Sequence, residues 1–283
     1  MTSMLRSHPV GGTRPRPLLV ALLVGLLMTA VTPRAQWIDY PTAGVPTKAD
    51  GTPNLDALAP RTPDGKPDLS GVWEPEKNLP CPPDGCPDNP MSRQFLDIGW
   101  NVTAGLPYRP ETAALVKARS AANGKDDPTS ACLPGSIVKM HTGPFFNKYI
   151  QTPGLLAILN EREVTYRQIF TDGRPLPDDP QPTWKGYSVG TWEGDTLVVR
   201  SNGFRDGIWL DRKGSPLGEG ATMVERFRRL TYGRLQIEIT VDDPKNYTRP
   251  WTVTLNDFFA LNTELMDFVC LENNKDAAHM VGM

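Results

Sequence analysis

The sequence predicts a mainly β protein: an antiparallel β-barrel preceded by a proline-rich arm and one short surface helix. From about residue 136 onward, short β-rich runs follow one another, separated by turn residues and without helical patterns between them. Upstream, 14 of the 75 residues from 36 to 110 are proline, which excludes long regular helices or strands there. Many consecutive antiparallel strands avoid exposed edges most simply by closing into a barrel.

The first 35 residues have the composition of an export signal. An arginine-bearing segment precedes an uncharged apolar run from Pro17 to Pro33, and the small residue Ala35 precedes Gln36 at a suitable cleavage point. The run is shorter than the roughly 20 residues of a membrane-spanning helix. We therefore expect a periplasmic or secreted protein with no stable membrane insertion after signal cleavage. An uncleaved anchor is the alternative, because proline two residues before Ala35 disfavours cleavage.

The arm and the helix occupy residues 36–127, between the leader (1–35) and the barrel domain (128–283). The prolines predict an extended segment laid over a core, with one strand around Leu69–Trp73. A helix is predicted to begin at Pro110, which suits the first helical position, and to stop near Gly124. Because its apolar stripe is weak, we expect this helix to lie on the surface.

The clearest strand signal is RLQIEITVDD, in which Leu235, Ile237, Ile239 and Val241 alternate with polar residues. This period of two predicts a strand with one buried and one wet face. Further strands are predicted at Phe146–Thr152, Leu155–Asn160, Val164–Thr171, Gly186–Trp192, Thr196–Ser201, Thr222–Leu230, Trp251–Phe259 and Glu264–Leu271.

Four cysteines, an even number in an exported chain, predict two disulfides. Cys81 and Cys86 lie in CPPDGC, where proline and glycine can bend the chain into a local ring. Cys132 would then pair with Cys270. A four-cysteine zinc site is the alternative, although the usual pair of two-residue spacings is absent.

Five motifs stand together in the second half of the chain: DGRPLPDDPQPTWKGYSVGTWEGDTLVV, GFRDGIWLD, ERFRR, TVDDPKNYTRPWTV and the closing CLENNKDAAH. As a set, and over roughly residues 128 to 282, they resemble a family of uncharacterised secreted bacterial proteins. The resemblance implies a lipocalin-like barrel and no established reaction. Relatives often carry a histidine after WLD, where this chain has Gly214, Ser215, Pro216 and Leu217. A chemistry that depends on that histidine would not be shared here.

The charge balance argues against a nucleic-acid partner. Without the leader the chain keeps 26 of its 30 basic side chains against all 32 acidic ones, whereas phosphate binding needs a basic stripe. Outside the leader the histidines are His141 and His279, which excludes a three-histidine zinc site. The common phosphate-loop, serine-hydrolase and zinc-protease motifs are absent, and the sequence predicts no cofactor and no metal ion.

Glu225, Asp211 and His141 are the candidates for acid–base chemistry. Glu225 shares a predicted strand face with apolar side chains, and a buried carboxylate must be paired or used. Its structural alternative is an ion pair with an arginine such as Arg167. Asp211 could act with Glu225 in glycoside chemistry if the two lay about 5 to 10 Å apart, or it could cap a turn. His141 stands near a predicted barrel rim, where a lone histidine is more often structural than catalytic.

Five aromatic side chains fall at predicted strand ends or turns: Trp184, Tyr187, Trp192, Trp209 and Trp251. Tyr187, Trp192 and Trp209, with the carboxylate of Asp206, are the predicted ligand-binding residues, because rings stack on a ligand and a carboxylate accepts hydroxyl hydrogen bonds. Barrel packing and turn capping are the structural alternatives.

The sequence thus predicts an exported barrel that binds a small, partly aromatic or hydroxylated molecule, since a barrel of about eight strands holds one modest ligand. The alternative is a cofactor-independent hydrolase, lyase or isomerase that uses the same pocket. A purely structural or cell-envelope interaction protein is the third class, favoured by the proline-rich arm.

Overall fold

A closed β-barrel dominates the fold. The computed structural model describes residues 40–80, 91–162 and 164–272. Within these ranges the strands are β1 Gly71–Pro75, β2 Asn147–Thr152, β3 Leu155–Asn160, β4 Thr165–Phe170, β5 Tyr187–Glu193, β6 Thr196–Asn202, β7 Ile208–Trp209, β8 Pro216–Leu217, β9 Thr222–Thr231, β10 Arg234–Asp242 and β11 Trp251–Phe259. Nine of them close the barrel in the order β1-β11-β10-β9-β6-β5-β4-β3-β2, and β7 and β8 form a separate two-stranded ribbon. The predicted barrel is confirmed.

Strand β10 shows how the alternating pattern builds the core. Its four apolar side chains are fully buried, as predicted: Leu235, Ile237, Ile239 and Val241. Ile237 lies opposite Phe227 of β9 on one side and Leu255 of β11 on the other, and both of these are buried too. The polar residues between them point to the wet face, so successive residues of the strand face the core and the solvent in turn.

The proline-rich arm supplies the strand that closes the barrel. Trp73 of β1 lies opposite Asn147 of β2 and also opposite Phe259 of β11, so β1 joins the first and last strands of the β-rich region. The Trp73 side chain is fully buried, and its indole N–H donates to the Leu69 carbonyl over 3.0 Å. The predicted strand in the arm is therefore part of the barrel wall.

The predicted strand Glu264–Leu271 is wrong. The structure has no strand there, only one isolated bridge between Phe268 and Arg162. The edge of β11 beside which a following strand of the meander would lie is already paired with β1. The chain therefore leaves the sheet after Phe259.

Short helices lie around the barrel. In the described residues they are α1 Arg93–Leu96, α2 Pro110–Ala121 and α3 Ile137–Met140, with a 3₁₀ turn at Pro128–Ala131. Helix α2 has proline in its first turn and buries only Thr112 and Val116, which confirms the predicted surface helix. Helix α3 was not predicted; all its residues are buried, and His141 is the C-cap residue that follows it. No helix in the described part of the chain is long and apolar enough to span a membrane.

A disulfide joins Cys132 to Cys270, 138 residues apart in sequence and 5.6 Å apart between Cα atoms. This confirms the predicted long-range pairing. It also removes two ligands from the alternative four-cysteine zinc site. The predicted Cys81–Cys86 ring lies outside the described residues.

Candidate functional site

The barrel has a seam between β4 and β5. These two strands run parallel and are joined by one residue pair, Phe170 with Val189, whereas the neighbouring pairs β3–β4 and β5–β6 are antiparallel and join along their whole length. The connection between them, residues 171–186, contains four prolines. Because β4 and β5 run parallel, no tight hairpin can join them, and proline, which lacks an N–H, does not extend the ladder between them. The wall is therefore left open along the seam.

A cavity of about 440 Å³ lies along the seam. Its lining includes the rings of Tyr166, Phe170, Trp184 and Tyr187, and the rings of Phe170 and Tyr187 stack with their centroids 5.3 Å apart. The cavity also reaches Arg167, whose side chain is buried inside the barrel. This size and this combination of aromatic walls with a few polar groups are typical of small-molecule sites.

Arg167 of β4 and Glu225 of β9 form a buried ion pair beneath the cavity. Arg167 Nη1 donates to Glu225 Oε1 over 2.9 Å, and Nη2 donates to Oε2. Two serines on adjacent strands complete the network: Arg167 Nη2 lies 3.0 Å from Ser188 Oγ and 3.1 Å from Ser201 Oγ. Both carboxylate oxygens of Glu225 are thus held by the guanidinium, which is the structural alternative considered from the sequence.

Lys185 also lines the cavity, in the loop that leads into β5. Its Nζ donates to the Gly135 carbonyl over 2.6 Å. Burial, reinforced by the positive charges of Arg167 and Arg162, lowers the pKa of Lys185 to about 7. Near neutral pH this side chain therefore exists as a mixture of amine and ammonium.

His141, at the end of α3, lies in a buried group with Asp257 and Tyr149. Its Nδ1 is 3.2 Å from Asp257 Oδ2 and 3.2 Å from the Tyr149 hydroxyl. Burial raises the pKa of Asp257, and the hydrogen bond with His141 opposes that shift. Among the described residues, His141 Nε2 and Asp257 Oδ1 have no hydrogen-bond partner. A histidine with a carboxylate at one nitrogen and the other nitrogen unoccupied has the arrangement of a general base.

Asp211 organises the loop between β7 and β8. It is fully buried, and its carboxylate accepts hydrogen bonds from the backbone N–H groups of Ile98, Gly214 and Ser215 and from the Ser215 hydroxyl, at 2.7 to 2.9 Å. Burial raises the pKa of Asp211, and these hydrogen bonds oppose the shift. These contacts correspond to the structural alternative for Asp211, which is the capping of a turn.

The other predicted ligand-binding residues do not line the seam cavity. Trp209, in β7, is buried with the Arg119 guanidinium 4.4 Å from its ring centroid, and it lines a separate cavity of about 640 Å³ beside α2. Asp206 is exposed, with its Oδ1 3.3 Å from Lys245 Nζ. Trp192, on β5, packs partly buried against the core.

The cavities described for residues 40–80, 91–162 and 164–272 do not bring the seven predicted site residues together. Tyr187 lines the seam cavity, and Glu225 reaches it through Arg167. The sequence pattern did not identify two further candidate functional residues. Lys185 stands between two aromatic residues just before a strand, and Asp257 interrupts the buried apolar alternation of β11 in the same way as Glu225 interrupts β9. Asp257 could have been identified from the sequence, because a lone carboxylate on an apolar strand face is unusual.

Comparison of the chain with protein-family models and with curated proteins gave no match in either.

Proposed function

We propose that this protein is an exported, lipocalin-like carrier that binds a small, partly aromatic molecule in the seam cavity. The observation that carries the proposal is the cavity itself: an opening in the barrel wall with four aromatic side chains in its lining and buried polar groups at its inner end. Rings supply apolar contact area at a small entropic cost, and the few polar groups fix the orientation of a ligand.

The aromatic lining is held in place by arginines. The Arg174 guanidinium lies 3.9 Å from the ring centroid of Phe170 and also donates to the Tyr187 hydroxyl over 3.2 Å. The Arg205 guanidinium lies 4.4 Å from the ring centroid of Trp184. Rings that are already ordered lose little conformational freedom when a ligand arrives, so these contacts favour binding.

Export is supported by two features. The first 35 residues have the composition of a cleavable signal, and the Cys132–Cys270 disulfide is of the kind that persists in an oxidising compartment. Membership of the secreted family that the sequence resembles is part of the same proposal.

An enzymatic function has less support. The carboxylates of Glu225 and Asp211 are fully buried and accept hydrogen bonds from Arg167 and from the loop before β8, which are structural roles. The buried pair of His141 and Asp257 is the group that a catalytic alternative would use.

The proposal is tested with N-phenyl-1-naphthylamine, a neutral aromatic dye whose fluorescence rises in apolar sites. Saturable binding to the mature protein is expected, and Trp184→Ala should weaken it about tenfold, because the substitution removes a stacking surface. Trp100→Ala is the matched control: this tryptophan also carries an arginine over its ring, 4.8 Å from the centroid, but does not line the cavity. Absence of binding, or equal losses in the two variants, would contradict the proposal.

A further inference from the structure

The seam cavity carries positive charge and no acidic group among its described lining residues. Its charged residues are Arg167 and Lys185. The charge of Arg167 is balanced by Glu225 below it. Among the described lining residues, Lys185 is therefore the cation that no carboxylate pairs with.

Lys185 has no carboxylate within 4 Å among residues 40–80, 91–162 and 164–272. Its hydrogen bond goes to the Gly135 carbonyl, which is neutral and satisfies one of its three N–H groups. The charged groups that act on it from neighbouring elements are Arg167 of β4 and Arg162 before β4, and both are cations. A partly buried ammonium in such surroundings favours an incoming anion.

We infer that the ligand of the seam cavity is an aromatic anion, a carboxylate or sulfonate attached to a ring system, whose acidic group binds Lys185 while its rings contact Trp184 and Tyr187. The inference rests on the proposed function and specifies its ligand class. It combines two features of one lining: the aromatic side chains and the cation whose charge no described carboxylate balances. A hydroxylated neutral ligand would leave that cation without a counter-ion.

Such binding is linked to proton uptake. In the unliganded protein the pKa of Lys185 is about 7, because burial and the two arginines disfavour its charge. An anion beside the amine favours the ammonium and so raises this pKa in the complex. Affinity for the anion must then fall as pH rises above about 7, since a proton has to be bound along with the ligand. Below about pH 6 the lysine is already protonated, and affinity should not change with pH.

The experiment compares two dyes that share one ring system: 8-anilinonaphthalene-1-sulfonate, and N-phenyl-1-naphthylamine, which lacks the sulfonate. Wild type should bind the sulfonate about tenfold or more tightly than the neutral dye at pH 6.5, as expected for a hydrogen bond to a charged group. Lys185→Met should remove this preference, so that the two dyes bind with similar affinity. Lys185→Arg should keep the preference and lose the fall in sulfonate affinity between pH 7 and 9. Lys117→Met, at an exposed position on α2, is the control and should behave as wild type.

Three outcomes would overturn the inference. If the neutral dye binds and Trp184→Ala weakens it, but the sulfonate is not preferred or Lys185→Met keeps the preference, the carrier proposal stands and the anion inference fails. If sulfonate binding survives Trp184→Ala unchanged, the anion binds elsewhere and the inference fails as well. If neither dye binds, both the carrier proposal and the anion inference fail.

Discussion

Replacement of Glu225 by glutamine isolates the buried ion pair beneath the cavity. Glutamine keeps the size of the side chain but removes the charge, so the Arg167 guanidinium remains buried without a counter-ion. Its hydrogen bonds to Ser188 and Ser201, at 3.0 and 3.1 Å, persist but do not neutralise it. The perturbation therefore changes electrostatics at nearly constant volume.

The expected loss is large. Breaking a buried pair by removing one partner costs about 3 to 5 kcal/mol, because the surviving charge stays desolvated. Two guanidinium N–H groups donate to the Glu225 carboxylate, and each hydrogen bond to a charged group contributes about 1.5 to 3 kcal/mol, so the two together contribute about 3 to 6 kcal/mol, which agrees with that range. With a urea dependence of about 3 kcal/mol per M, the unfolding midpoint should fall by about 1 M or more.

Equilibrium urea unfolding, followed by tryptophan fluorescence, measures this loss. Glu238→Gln is the matched control, because Glu238 is exposed on the neighbouring strand β10 and its substitution should change stability by less than about 0.5 kcal/mol. The double variant Arg167→Met with Glu225→Leu should recover most of the loss, since a packed apolar pair replaces the buried charges. A midpoint for Glu225→Gln equal to that of the control would refute the reasoning.

Two further perturbations test the barrel and its tether. Ile237→Asp should destabilise by several kcal/mol, because it places an unpaired carboxylate in the core, whereas Glu238→Lys on the wet face should leave the melting temperature nearly unchanged; equal melting temperatures would reject the assignment of faces. Replacing both Cys132 and Cys270 by serine should lower the free energy of unfolding by up to about 5 kcal/mol in the loop-entropy model. Thermal denaturation of the wild type with and without reductant checks this prediction. A melting temperature that reductant does not change would contradict it.

The fold could be predicted where a local pattern determined the outcome. The alternation of β10 and the proline that opens α2 depend on neighbours in sequence, and both predictions are confirmed. The predicted strand at 264–271 failed for a non-local reason: β1, from the arm, pairs with the edge of β11 that it would have used. Local propensity carries no information about which of two segments takes an edge.

The site was harder to predict than the fold. Glu225 was identified as a carboxylate that must be paired or used, and the structure shows its partner. In the sequence, a single lysine before a strand is indistinguishable from an ordinary surface residue. Only the structure shows that Lys185 lines an aromatic cavity at the seam. The seam also could not be predicted, because the way in which the proline-rich connection leaves β4 and β5 mostly unpaired depends on the tertiary structure.

The origin of β1 in the arm has a consequence for how the chain reaches its native state. The strand that completes the wall lies far upstream in sequence, yet it must pair with β11, the last strand in the described part of the chain. Such a topology has a high contact order, so closure requires a large loss of chain entropy before these contacts form, and folding is expected to be slow. Until then the edges of β2 and β11 are unpaired and can recruit another chain. Substitutions that weaken the docking of Trp73 should therefore promote aggregation during folding.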